Sequence, residues 1–148
     1  MDLILWRHAE AEDAGRGGDL ARALTARGRA QAERMAAWLA PRLPATARIL
    51  ASPAKRCQQT VAALGRTPTT LAAIGPGTTA ESLLAAAGWP DAGQTVLVVG
   101  HQPTIGQAAA IAMGASAAAW QVKKGAVWWL RSKGGSVRLH AVQSPDDL

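Results

Sequence analysis

At 148 residues and 49% hydrophobic, the chain is long enough for one domain with a sizeable core and too apolar to be a disordered segment. Its formal charge of +6 is spread along the sequence without a basic run, so charge alone gives no nucleic-acid site, and a single cysteine, Cys57, excludes an internal disulfide or a cysteine-based metal cluster. No stretch approaches the roughly 20 apolar residues of a membrane span, and the short apolar start has no basic residue before it, as a signal peptide would. The expectation is a cytoplasmic monomer with neither membrane nor nucleic acid as partner.

In chain order, the apolar run within residues 2–7 predicts a buried strand that stops at the adjacent pair Arg7-His8. Residues 9–24 read as a polar, glycine-containing loop. Thr25 then reads as the N-cap of a helix from Ala26 to Ala40, ended by Pro41 and Pro44. Arg48–Ala51 predicts a second strand. Ser52-Pro53 has the look of a capping side chain followed by proline at the first helical position, and starts a helix through Arg56 to Gly65. Thr70–Ile74 predicts a third strand, broken by Gly75-Pro76-Gly77, and Thr79 caps a helix over residues 80–87. Thr95–Val99 is the clearest buried strand. It ends at Gly100-His101-Gln102-Pro103, and a helix from Thr104 to Met113 follows. Gly125–Arg131 and Ser136–Val142 predict a hairpin joined through Lys133-Gly134-Gly135. This alternation predicts a three-layer α/β/α sandwich over residues 1–148. Its central sheet would have about six strands, mostly parallel, with a C-terminal antiparallel hairpin.

Three distant pieces of sequence then share one place. Arg7 and His8 follow the first strand, Arg56 lies in the first turn of the helix after the second, and His101 follows the fourth. In a parallel sheet all of them fall at the carboxyl edge, where ligands bind. Two Arg and two His make a cationic pocket. Arg holds phosphate oxygens through a planar fork, and a neutral His can attack phosphorus. The bland alternative for any one of them is a surface Arg or a structural His.

The motifs Leu5-Trp6-Arg7-His8-Ala9-Glu10-Ala11, Leu24-Thr25-Ala26-Arg27-Gly28, Ala51-Ser52-Pro53-Ala54-Lys55-Arg56 and Val99-Gly100-His101-Gln102-Pro103 occur in one order. On these the chain resembles the histidine phosphatase superfamily, with its phosphoglycerate-mutase-like fold, and within it the small SixA-type phosphohistidine phosphatases. The resemblance implies that His8 is the phosphorylated nucleophile and that Arg7 and Arg56 clamp the phosphoryl oxygens. It implies a second phosphate contact, cationic, at His101. No metal and no cofactor are implied. Ser52 is expected to cap its helix and to touch the phosphate.

The region that carries a proton-donating acid in larger members of the superfamily is here Leu71–Gly77, without a carboxylate. Glu81 is the nearest candidate acid, otherwise a solvated helix residue. An alkoxide leaving group needs a proton, whereas imidazole leaves with less help. The expected substrate is therefore phosphohistidine on a phosphotransfer or phosphorelay protein. A small phosphate monoester is the alternative, and an inert phosphate-binding module the third. Lys123 and Lys124 read as a solvated pair or as contacts to phosphate or an acidic partner. Cys57 reads as a buried thiol and His140 as structural.

Overall fold

The computed structural model of the chain describes residues 1–116 and 119–148. Strands β1 (Asp2–Arg7), β2 (Arg48–Ala51), β3 (Thr69–Thr70) and β4 (Val96–Gly100) run parallel. Strands β5 (Val127–Lys133) and β6 (Ser136–Gln143) close the sheet as an antiparallel hairpin. The strand order is β3-β2-β4-β1-β5-β6. Helices α1 (Ala26–Leu39), α2 (Lys55–Ala62), α3 (Ala80–Ala87) and α4 (Thr104–Ala112) cover its two faces.

The period of two along each strand makes the layers. Leu3, Leu5, Val96 and Val98 face α3 and α4, packing on Leu83, Leu84 and Ile105. Ile4, Trp6, Leu97 and Val99 face α1 and α2, packing on Met35, Leu39, Cys57 and Val61. β1 and β4 are apolar on both faces because both are covered, as expected of central parallel strands. Thr25 caps α1 by accepting from the Gly28 N–H at 2.9 Å, and Thr79 caps α3 by accepting from Ser82 at 3.1 Å, both as predicted. Between β5 and β6 the turn is Gly134-Gly135, with φ of 59° and 78°. Left-handed backbone at both central positions is what a tight hairpin turn needs, and glycine adopts it without strain.

Two local expectations fail. The helix after β2 begins at Lys55, not at Ser52-Pro53, and its N-cap residue, Ala54, has no side-chain cap. Ser52 is fully buried, and its hydroxyl accepts from the Ala54 N–H at 3.2 Å and meets a ring nitrogen of His101 at 2.8 Å. It shapes the turn before the helix while facing inward. The third strand is only Thr69–Thr70, and Ala72–Ile74 forms a 3-10 turn instead. The run is apolar enough for a strand, but at the sheet edge a helical turn buries Ile74 against α3 while Ala72 and Ala73 stay exposed.

Candidate active site

The strand register places the predicted residues together. Arg7 pairs with Gly100 and Ala51 with Val99, so β1, β2 and β4 end level. Because β4 lies between β1 and β2, His101 sits between His8 and Arg56. The His8 and His101 rings are 5.3 Å apart between centroids, at 60°. With Arg7, Asp19, Arg22, Arg56, Gln102 and Lys124, they line a cavity of about 290 Å³.

His8 is fixed on every side. Its N–H donates to the Gly100 carbonyl at 3.0 Å, and its own carbonyl accepts from Gly125 at 3.1 Å. The neighbouring Ala9 N–H donates to Thr60 Oγ1 on α2 at 3.1 Å. The ring Nδ1 lies 2.7 Å from the Ala9 carbonyl, an acceptor only, so Nδ1 carries the proton. In the neutral ring Nε2 then holds the lone pair. Burial lowers the His8 pKa to about 3, against the raising effect of the Ala9 hydrogen bond, so the ring is neutral at pH 7.

His101 also has a defined tautomer. Arg56 Nη2 donates to Nδ1 at 3.2 Å, so Nδ1 is unprotonated and Nε2–H points to Ser52 Oγ at 2.8 Å. Burial, then the Arg56 charge, lower the His101 pKa to about 4. In this arrangement His101 is therefore neutral, where the resemblance implied a cation. A bound dianion favours the charged form, so the two descriptions belong to different states of charge in the pocket.

Arg56 is 4% exposed, and its fork is held from outside by an acid that sequence reading missed. Nη1 donates to the Asp19 backbone carbonyl at 2.8 Å and Nη2 to Asp19 Oδ2 at 3.1 Å. Asp19 Oδ1 meets Arg22 at 3.2 Å. Both arginines hold the Asp19 carboxyl below the usual carboxylate range, Arg56 more strongly. Arg7 donates through Nη1 to the Val122 carbonyl at 2.7 Å, and burial lowers its pKa. The Nε–H groups of Arg7 and Arg56 are buried without a partner among the described residues. Unpaired buried donors are costly, and an oxyanion would satisfy both.

Glu81 is exposed at the start of α3, and Ser52 lies behind His101; neither lines the cavity. Gln102 shapes the turn below His101 by accepting from Gly106 at 2.6 Å and donating to the Trp120 carbonyl at 2.8 Å. Cys57 is buried beside His101, and burial pushes its thiol up to about 12, which makes it inert. His140 stacks edge-on against Trp129, away from the cavity. No helix among the described residues is long and apolar enough to cross a membrane.

A search of curated protein sequences gives no match. Solved structures are similar over nearly the whole chain. A chain assigned as the phosphohistidine phosphatase SixA of Agrobacterium tumefaciens is 29% identical with a TM-score of 0.79, covering 97% of both chains. One assigned as SixA of Nakamurella multipartitia is 30% identical with a TM-score of 0.74, covering 97% of this chain and 95% of that one. The protein histidine phosphatase SixA complexed with tungstate shares the fold at 23% identity and a TM-score of 0.78, over 99% of both chains. The model of the histidine phosphatase superfamily (branch 1) matches residues 3–74, the span that carries Arg7, His8 and Arg56. With Arg7, His8, Arg56 and His101 gathered at one cavity, these likenesses place the chain in the histidine phosphatase superfamily.

Proposed function

We propose that the protein is a phosphohistidine phosphatase that works through a covalent phospho-His8 intermediate. The observation that carries the reading is the unprotonated Nε2 of His8 beside two arginines whose buried Nε–H groups have no partner among the described residues. His8 Nε2 attacks phosphorus, and the bond from phosphorus to the substrate imidazole breaks. The other nitrogen of the substrate ring carries a proton taken from solvent, so the group leaves as neutral imidazole and keeps the electron pair of the broken bond. Water then attacks phospho-His8, phosphate departs, and neutral His8 is restored. Arg7 and Arg56 stabilise charge on the equatorial oxygens, a role that metal ions fill in kinases. His101 joins them as it takes up a proton, donating to the phosphoryl group.

Charge without an acid supports phosphohistidine as the substrate class. Asp19 is the one carboxylate lining the cavity among the described residues, and two arginines keep it ionised. An ionised carboxylate cannot protonate an alkoxide, but imidazole, protonated from solvent at its other ring nitrogen, departs without an acid from the enzyme. The structural neighbours assigned as SixA point to the same class. The test is metal-free release of phosphate from a phosphohistidine protein beside a panel of phosphate monoesters. Faster, His8-dependent release from phosphohistidine supports the reading. Preference for an ester sinks it in favour of a small-molecule phosphomonoesterase.

A further inference from the structure

We propose that the groove beside the catalytic cavity, along Lys124, Lys123 and Arg27, is a docking surface for an acidic face of the protein that carries the phosphohistidine. This inference rests on the phosphohistidine reading above. The groove, about 290 Å³, is lined by Glu10, Arg27, Gln31, Lys123, Lys124 and Asp146. Lys124 lines both it and the catalytic cavity, so the two lie side by side. The cavity lies at the small end of ligand pockets. It has room for a phosphorylated imidazole but not for the polypeptide behind it, which must lie across the neighbouring surface.

The groove is firm where the catalytic strand is firm. Glu10 N–H donates to Gln31 Oε1 at 2.9 Å. The segment that carries the two lysines is tied to the site through Arg7 to the Val122 carbonyl at 2.7 Å and Gly125 to the His8 carbonyl at 3.1 Å. Its three cations outnumber its two carboxylates. Arg27, Lys123 and Lys124 are exposed, and none of them forms an ion pair among the described residues. Of the two carboxylates, Glu10 is turned to the Thr25 hydroxyl at 2.8 Å, and Asp146 is exposed on the 3-10 turn Pro145–Asp147. Lys124, Lys123 and Arg27 place cations from the edge of the catalytic cavity to the first turn of α1. Such an arrangement favours an acidic partner by steering and by register, and it acts little on a small substrate.

The test uses an acidic histidine phosphotransfer domain phosphorylated with phosphoramidate, beside free phosphohistidine, at low and high salt. The variant carries Arg27→Glu and Lys123→Glu, both outside the catalytic cavity. The expected result at low salt is a kcat/KM about 10-fold lower on the domain and within about twofold of wild type on free phosphohistidine. Wild-type turnover of the domain should also fall with salt, and that of free phosphohistidine should not. If both substrates suffer equally, Arg27→Gln with Lys123→Gln is used in its place, with the same selective loss expected. Equal rates on the domain for variant and wild type, or turnover insensitive to salt, overturn the docking surface and leave the phosphatase reading standing. A wild type that acts on neither form of phosphohistidine overturns both.

Discussion

The Nδ1 of His8 lies 2.7 Å from the carbonyl oxygen of Ala9, the next residue in the chain. This local contact decides which ring nitrogen keeps its lone pair, because the carbonyl can only accept. The backbone clamps from Gly100 and Gly125 keep the contact in place.

The buried histidines make stability depend on pH. Burial holds the folded-state pKa of His8 near 3 and that of His101 near 4, below the 6.5 of an unfolded histidine. The unfolded chain therefore binds more protons between these values. Stability is fully present above pH 6.5 and is lost as pH falls toward 4, at about 1.4 kcal/mol per pH unit for each proton. His8→Gln should flatten the slope by roughly one proton, read by urea unfolding at pH 7, 6 and 5. Parallel slopes for variant and wild type contradict a neutral buried His8.

Asp19 bridges two guanidiniums, with Oδ1 on Arg22 at 3.2 Å and Oδ2 on Arg56 at 3.1 Å. Asp19→Ala frees the Arg56 fork to rotate, and kcat/KM should drop about 10- to 100-fold. Asp19→Asn, which keeps one acceptor, should lose less. The melting temperature should move little, because the Asp19 carboxylate is half exposed and its backbone carbonyl still accepts from Arg56. Unchanged kinetics in Asp19→Ala would show that α2 alone orients Arg56.

Arginine as the source of charge predicts full turnover in excess chelator. It also predicts that Arg56→Lys, which keeps the charge and loses the fork, costs about 100-fold in kcat. Restoration of a chelated enzyme by added metal ion would contradict this account.

Gly28 has no room for a side chain, since a Cβ there would run into the backbone of Glu10. Gly28→Ala should push α1 from the segment after His8 and destabilise the protein by about 1–3 kcal/mol, read in denaturant. An unchanged unfolding midpoint would mean that α1 shifts freely.

The legible part of the site was the part that follows apolar strands. Arg7, His8 and His101 each end a run whose burial the sequence announces, and Arg56 sits one short turn beyond another. Asp19 and Arg22 were not legible, because a glycine-containing loop has no periodicity to say which side chain turns inward. Ser52-Pro53 misled because a serine before a proline has the composition of a helix start. Here the hydroxyl partners the ring of His101, so α2 begins later. The stretch after the third strand offers no acid and Glu81 points elsewhere on the surface, whereas the carboxylate in the cavity comes from the segment after β1.

The most direct test of the account is to trap the phosphoenzyme. Enzyme mixed with a phosphohistidine substrate is quenched in alkali, mapped by peptide and examined by phosphorus NMR. The account predicts one phosphoryl group on His8, attached at Nε2, and none in His8→Ala. A phosphoryl group on His101, or turnover that persists in His8→Ala without an intermediate, would contradict it.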